Sequence, residues 1–281
     1  MSRTPRSIVA LAAVALVLPA LYGFGLPVSV EVTTATPNWA SPDEATIHPG
    51  VQVVTAGAQC TTNFVFTNGN DVLIGMAAHC AGLGGQSDTN GCTTPSRPIG
   101  TPVSIEGARH SGTLVYSSWL AMQQAGTSGS PCQYNDFALV KIHPEDVENV
   151  NPSVPSWGGP EALGGATSGG ESVYSHGDSG LRFGLLSPKA GISLGMLGGG
   201  WAHQVYTVTP GIPGDSGSGL LNSQGNAVGV LSTIALAPLT GSNNFSDLAR
   251  ARAFARSHGM GQLELVPGDV PFNSSLLGLL G

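Results

Sequence analysis

The chain has 281 residues, of which 41 are Gly and 20 are Pro, and its formal net charge is −7 at pH 7. With 41% hydrophobic residues, this composition excludes wholesale disorder, collagen, coiled coils and multi-span membrane proteins, and it favours short strands joined by many turns. The 10 Lys and Arg residues form no basic cluster, so no nucleic-acid partner is expected.

The first part of the chain, residues 1–26, has the pattern of a secretory signal peptide. Arg3 and Arg6 precede an apolar run over residues 8–18, shorter than the ~20 residues that a membrane-spanning helix needs. A small-x-small match over residues 33–35 offers a cleavage site. The alternative is a retained N-terminal anchor. Both interpretations predict an exported protein, with a secreted, extracellular location for the mature domain.

Residues 27–49 are interpreted as a linker or short pro-segment, residues 50–259 as the main domain and residues 260–281 as a tail without a firm pattern. Short runs of β-type residues recur through the main domain. The predicted strands are Val51–Thr55, Asn63–Thr67, Asp71–Met76, Pro102–Ile105, Gly112–Tyr116, Phe137–Ile142, Ser172–Ser175, Gly180–Leu186, Gln204–Thr209, Ser218–Asn222 and Ala227–Ser232.

A stretch rich in Gly, Pro and Ser near residues 152–170 divides these strands into two groups, over residues 50–150 and 165–245. One helix is predicted over residues 246–258, with Ser246 and Asp247 as its capping residues. The predicted fold is therefore all-β, with two packed antiparallel β-barrels and a C-terminal helix.

Four cysteines agree with export to an oxidising compartment. They permit three disulfide pairings, of which we favour Cys60–Cys80 with Cys92–Cys132. No pair has the two-residue spacing of a zinc knuckle, so no metal is expected.

Three segments carry residue types that suit amide hydrolysis, which needs a nucleophile, a base and donors for the developing oxyanion. His79 follows an apolar strand and the small Ala77 and Ala78, next to Cys80. Asp136 precedes another apolar strand. Ser216 lies in a turn between glycines, where the amides of Gly214 and Ser216 can point the same way.

The Ala-Ala-His-Cys and Gly-Asp-Ser-Gly motifs, with His79, Asp136 and Ser216 in that order, resemble the chymotrypsin/trypsin-like serine endopeptidases, particularly the secreted bacterial ones. The resemblance covers roughly residues 50–258. It implies that Ser216 is the nucleophile, His79 the general base and then acid, and Asp136 the carboxylate that orients the imidazole. It also implies a polypeptide substrate and no organic cofactor.

The resemblance assigns roles to residues around the substrate as well. Ser232 supports Asp136 and begins the edge on which a peptide pairs. Thr233 and Ile234 line the primary pocket, together with Pro213, and Pro210 lies at the pocket base. Because Pro210 offers no carboxylate to an Arg or Lys side chain, we expect a preference for small or apolar side chains.

Two further features of the sequence bear on this interpretation. A second Gly-Asp-Ser-Gly, over Gly177–Gly180, lacks the downstream hairpin and is interpreted as a plain turn. No Ile-Val-Gly-Gly-like start occurs near residue 50, so activation by a new amino terminus that pairs with Asp215 is not expected. Arg182 is the candidate internal partner of Asp215.

Two other functions use the same residues. One is a protease-like binding protein that has lost turnover, and the other is a serine esterase with the same triad, which ester and peptide substrates would distinguish. The mature domain is expected to be a monomer, with no membrane partner unless the N-terminal segment is retained.

Overall fold

The computed structural model describes residues 37–85, 88–183, 185–235 and 241–275. Within these ranges the chain forms fourteen strands and three helices. The strands are β1 (Gln52–Thr55), β2 (Ala58–Thr61), β3 (Val65–Asn68), β4 (Asp71–Met76), β5 (Pro102–Ile105), β6 (Gly112–Ser117), β7 (Ala138–Lys141), β8 (Ser172–His176), β9 (Pro188–Leu197), β10 (Ala202–Thr207), β11 (Gly219–Leu221), β12 (Ala227–Ala235), β13 (Ser242–Asp247) and β14 (Leu263–Leu265). The helices are α1 (Ser118–Ala125), α2 (Ser130–Tyr134) and α3 (Leu248–Ser257).

The strands form two antiparallel lobes, which confirms the predicted all-β fold. The second lobe is a closed barrel in the order β10-β13-β12-β11-β8-β9. The first is an eight-stranded sheet in the order β14-β3-β4-β7-β6-β5-β1-β2. Among the described residues no ladder joins β14 to β2, so hydrogen bonds do not close this lobe into the predicted barrel.

The strand predictions succeed where apolar residues are dense. Asp71–Met76 and Pro102–Ile105 coincide with β4 and β5. The strand predicted over Gly180–Leu186 is wrong, because residues 180–182 form a 3₁₀ turn and Phe183 and Leu186 have positive φ, which a ladder does not accommodate. The long, glycine-containing β9 had no strong sequence signal and was missed.

The predicted C-terminal helix is present as α3. The Asp247 carboxylate accepts the N–H of Arg250 at 2.8 Å, which is the expected N-cap, and the helix buries Leu248, Ala251 and Ala255. The expectation of one helix is nevertheless wrong, since α1 and α2 precede it. Among the described residues no helix is long and apolar enough to cross a membrane.

The segments at both ends of the described chain pack against the lobes. Of the stretch interpreted as a linker or pro-segment, the structure describes residues 37–49, in which Ile47 is fully buried and forms a parallel bridge with Val150. In the tail, β14 pairs with β3, and the Val270 carbonyl then accepts the N–H of Gly159. The predicted signal segment lies outside the described residues.

Both favoured disulfides are present. Cys60–Cys80 joins β2 to the turn after β4, and Cys92–Cys132 joins a loop to α2, with sequence separations of 20 and 40 residues. Each closes a loop whose entropy in the unfolded chain is worth ~3–4 kcal/mol in the chain-entropy treatment.

Candidate active site

His79 lies on a short 3₁₀ turn, Ala78–Ala81, immediately after β4. The apolar β4 runs through the core, and fully buried Ala77 and Ala78 let the chain turn tightly against its neighbours. The bond from Cys80 to Cys60 ties this turn to β2. The imidazole is therefore presented from a rigid part of the first lobe.

Asp136 makes two hydrogen bonds with His79, one with its ring and one with its backbone. Its Oδ2 lies 2.6 Å from His79 Nδ1, and its Oδ1 accepts the backbone N–H of His79 at 2.9 Å. The hydroxyl of Ser232, on β12, donates to the same Oδ2 at 2.6 Å. Asp136 is buried, whereas the side chain of His79 is 29% exposed. A residue of the second lobe thus helps to orient a carboxylate of the first.

The electrostatics of this pair follow from its burial. Burial alone would lower the pKa of His79, but the charge of Asp136 and the hydrogen bond to it outweigh burial and raise that pKa above 6.5. Burial alone would raise the pKa of Asp136, but His79 and the hydrogen bond from Ser232 hold it below its usual value. The carboxylate therefore stays ionised and accepts a hydrogen bond from Nδ1–H, which leaves Nε2 as the basic nitrogen.

Ser216 lies in a turn that only glycines allow. Gly214 and Gly217 have φ of +98° and +93°, and a Cβ on Gly217 would lie 2.4 Å from the carbonyl oxygen of Thr61. In this turn the N–H groups of Asp215 and Gly217 donate to the carbonyls of Ile212 and Leu231. Among the described residues no protein acceptor takes the N–H groups of Gly214 and Ser216. These two amides are available to a ligand.

The carboxylate of Asp215 anchors this turn from below. It is fully buried, and its Oδ2 lies 3.3 Å from Nη2 of Arg182 and 3.3 Å from Nζ of Lys189. The N–H groups of Ser179 and Ile212 donate to the two carboxylate oxygens at 3.0 Å. The structure thus pairs Asp215 with Arg182, as expected, and adds Lys189, which sequence reasoning missed. Burial lowers the pKa of this lysine despite the nearby carboxylate.

The first Gly-Asp-Ser-Gly turn packs against the second. The hydroxyl of Ser179 is buried and donates to the Pro213 carbonyl at 2.6 Å, and it accepts the N–H of Leu181 at 3.2 Å. A Cβ on Gly177 would lie 2.4 Å from Asp215 Oδ1. The interpretation of Ser179 as a turn residue agrees with this placement, and the turn supports the segment that carries Ser216.

His79, Asp136 and Ser216 line one cleft of about 680 Å³ between the lobes. Of the residues assigned to the pocket, Pro213, Thr233 and Ile234 line it. Pro210 does not, since its carbonyl instead accepts a hydrogen bond from the Arg182 guanidinium. Several lining residues had no recognisable sequence signal: Gln59, Trp119, Gly211, Ile212, Leu231 and Asn243.

The cleft lining around Asn243 has its hydrogen bonds satisfied within the protein. The Asn243 side chain exchanges two hydrogen bonds with the backbone of Gly211, at 2.8 and 3.3 Å. Leu231 and Ile212 supply apolar surface beside it. Among the described residues that line the cleft, the only carboxylates are those of Asp88 and Asp136.

Two groups of side chains bring metal-ligand atoms within 4.8 Å of one another in the described chain. In the first, Cys60 and Cys80 are joined as a disulfide beside His79 and offer no thiolate. In the second, outside the cleft, Asp146 already accepts hydrogen bonds from Arg109 and His110 on both oxygens. Neither group adds a metal ligand set to the cleft.

Among solved structures, the chain is similar to Thermobifida fusca Protease A, with 20% sequence identity, 80% of this chain and 100% of that chain covered, and a TM-score of 0.52. It is also similar to Cellulomonas bogoriensis chymotrypsin (17% identity, 79% and 98% covered, TM-score 0.48) and to Nocardiopsis protease (16% identity, 78% and 98% covered, TM-score 0.48). The chain matches no protein-family model and no curated protein. The likeness to the Thermobifida protease establishes a chymotrypsin-like fold, as the sequence motifs predict.

Proposed function

We propose that this protein is a secreted serine endopeptidase. The proposal rests on one observation: the buried Asp136 carboxylate holds the His79 ring in the cleft. Ser216 and two amides without a protein acceptor line the same cleft. An ionised carboxylate, an imidazole with a free Nε2 and a hydroxyl in one cleft are the groups that acyl transfer needs. The two disulfides support export.

The proposed reaction has two halves. Ser216 Oγ attacks the scissile carbonyl carbon while His79 Nε2 takes its proton, and the N–H groups of Gly214 and Ser216 bind the oxyanion. His79 then gives the proton to the leaving amine as the C–N bond breaks, which leaves an acyl-enzyme. In the second half, water attacks the carbonyl carbon of this ester while His79 takes a proton from the water. The bond from the acyl carbon to Ser216 Oγ then breaks as His79 returns the proton to Ser216, and the carboxylic acid product leaves.

The edge of β12 supports recognition of an extended peptide. β11 pairs with β12 only as far as Val230, whereas β13 pairs with the other edge of β12 through Ala235. Ser232, Thr233 and Ile234 therefore present an edge to the cleft without a strand partner among the described residues. A substrate strand that pairs there would place its carbonyl beside Ser216.

The direct test is hydrolysis of internally quenched peptides by the purified, disulfide-bonded protein, with and without EDTA. We expect peptide cleavage that the chelator does not change, because every group in the proposed reaction belongs to the protein. Cleavage of simple esters without cleavage of any peptide would favour an esterase instead.

We expect kcat/KM to rise with pH as His79 loses its proton. Because the pKa of His79 is raised, the midpoint should lie above 6.5. In Asp136→Asn the pH profile of the residual activity should have a lower midpoint. The charge that raises the pKa of His79 is then gone, while the burial that lowers this pKa remains. A pH profile measured on both variants checks this, and a flat wild-type profile over about pH 4–9 would contradict it.

We expect peptides with Ala, Val or Leu before the scissile bond to be cleaved roughly 10²-fold faster, in kcat/KM, than those with Arg or Lys, because an unpaired charge would be buried beside Leu231 and Ile212. A matched variant, Ile234→Gly, should raise activity on Phe relative to Ala, since the half-exposed Ile234 narrows the cleft. Faster cleavage after Arg or Lys would contradict the proposed pocket.

A further inference from the structure

Two histidine side chains lie together on the first lobe, away from the cleft. His110 lies in the turn between β5 and β6, and His143 directly precedes a 3₁₀ segment, Pro144–Asn149, which follows β7. The two rings stack with their centroids 4.2 Å apart and an angle of 26° between their planes. Neither histidine lines the cleft, so this pair takes no part in the proposed reaction.

A buried carboxylate adds a third metal-ligand type to this pair. Asp146 is fully buried, and its Oδ2 lies 3.2 Å from Nδ1 of His110. One ring nitrogen of each histidine and one oxygen of Asp146 lie within 4.8 Å of one another. Two imidazoles and a carboxylate form a donor set that Zn²⁺ takes in open protein sites, where water is the fourth ligand.

The contact between His110 and Asp146 has the dimensions of two ligands on one Zn²⁺. Two ligand atoms at tetrahedral angles, with bonds of about 2.0–2.1 Å, lie about 3.3 Å apart, compared with 3.2 Å between Nδ1 and Oδ2. Without a metal this contact is a hydrogen bond from Nδ1–H to the carboxylate. A Zn²⁺ ion takes the place of that proton, which leaves to solvent. The partly exposed His143 then turns its ring to bring the third ligand atom inward.

The hydrogen bonds of Asp146 leave one of its oxygens able to bind a cation. Its Oδ1 accepts the backbone N–H of Arg109 at 3.1 Å and lies 3.3 Å from Nε of the same residue. Besides the ring of His110, the described residues offer Oδ2 one donor, the backbone N–H of His110 at 2.9 Å. Because each carboxylate oxygen has two lone pairs, a metal ion at Oδ2 leaves both backbone hydrogen bonds intact.

The charges around these three residues favour a cation. The carboxylates of Asp146, Glu145 and Glu148 lie near one guanidinium, that of Arg109. Oε2 of Glu145 lies 3.5 Å from Nε2 of His110, the ring nitrogen that is not in contact with Asp146. A carboxylate at the second nitrogen of a metal-binding imidazole orients the ring and raises the basicity of the first nitrogen. Glu145 is therefore placed to support His110 as a ligand.

We propose that His110, His143 and Asp146 bind one Zn²⁺, which joins the turn between β5 and β6 to the 3₁₀ segment Pro144–Asn149. This inference does not depend on the proposed function, because the site lies outside the cleft. The expectation of no metal rested on the spacing of the cysteines, whereas this site joins His110 to a carboxylate 36 positions away in the chain. The bound ion stabilises the first lobe and leaves peptide hydrolysis unchanged.

The test is isothermal titration calorimetry with zinc chloride on the purified protein without a polyhistidine tag, after treatment with EDTA and dialysis. We expect saturable binding of one Zn²⁺ per chain and no binding of calcium chloride, because Ca²⁺ takes oxygen ligands. His143→Gln should weaken Zn²⁺ binding about 10²-fold, and His110→Gln is a second variant with the same expected result. Zn²⁺ at about a hundredfold excess over Kd should raise the Tm of the wild type by about 5 °C.

His258→Gln is the matched control. His258 is also a partly exposed histidine with its ring stacked on an aromatic side chain, that of Phe254, and it belongs to neither group of metal-ligand atoms in the described chain. This variant should bind Zn²⁺ as the wild type does.

No saturable Zn²⁺ binding by the wild type would overturn this inference. Binding that His110→Gln and His143→Gln both leave unchanged would also overturn it, and loss of peptide hydrolysis on adding Zn²⁺ would then place the ion at His79. A wild type that binds Zn²⁺ as expected but cleaves no peptide would overturn the proposed function alone.

Discussion

Ser216→Ala should lower kcat for peptide hydrolysis by about 10⁵–10⁶-fold, the size of effect seen when the nucleophile of a serine protease triad is removed. The variant keeps the amides of the turn and the His79–Asp136 pair, so the folded protein should still bind peptides at the β12 edge. Progress curves on a quenched peptide, at enzyme concentrations high enough to detect residual turnover, measure the effect.

Ser179→Ala is the matched control, because Ser179 occupies the same position in an identical tetrapeptide. Its hydroxyl supports the Pro213 carbonyl and does not line the cleft. Removing one buried hydrogen bond should cost about 1–2 kcal/mol of unfolding free energy and leave turnover within roughly tenfold of the wild type. A loss in Ser179→Ala that equals the loss in Ser216→Ala would contradict the assignment of the nucleophile.

Asp215→Ala should lower the free energy of unfolding by about 3–5 kcal/mol, because it leaves the buried Lys189 and the partly buried Arg182 without their carboxylate. It also removes the acceptor of two backbone amides, those of Ser179 and Ile212. The turn that carries Ser216 loses its anchor, so activity should fall in molecules that remain folded. Urea unfolding monitored by tryptophan fluorescence, with peptide turnover measured beside it, checks both effects.

Lys189→Met is the control for this prediction, since it removes one cation of similar length and leaves Arg182 paired with Asp215. We expect a smaller loss of stability than in Asp215→Ala. A change of less than about 1 kcal/mol in Asp215→Ala would show that the buried carboxylate does not hold the turn.

The sequence predicts best those features that depend on neighbouring residues. The Asp247 cap of α3 and the strand before His79 were predictable for this reason. The two disulfides join residues that are far apart in the sequence. They were still within reach of prediction, because four cysteines permit only three pairings and one of these was favoured.

The features that sequence reasoning missed depend on contacts across the fold. Lys189, one of two lysines in the chain, has no acidic residue beside it in the sequence. It contacts Asp215 only because the fold packs β9 against the Ser216 turn. Pro210 was placed at the pocket base by its offset from Ser216. The fold turns its carbonyl toward Arg182 instead. The strand predicted over Gly180–Leu186 rested on apolar residues such as Phe183 and Leu185, which are exposed instead, because hydrophobicity alone does not distinguish a core strand from an exposed segment.

Labelling of the purified, disulfide-bonded protein with a fluorophosphonate probe, followed by mapping of the modified peptide by mass spectrometry, determines whether Ser216 is an activated nucleophile. We expect one tag on Ser216, which is lost in Ser216→Ala and retained in Ser179→Ala. A tag on Ser179, or no tag on correctly folded protein, would contradict an activated nucleophile at Ser216.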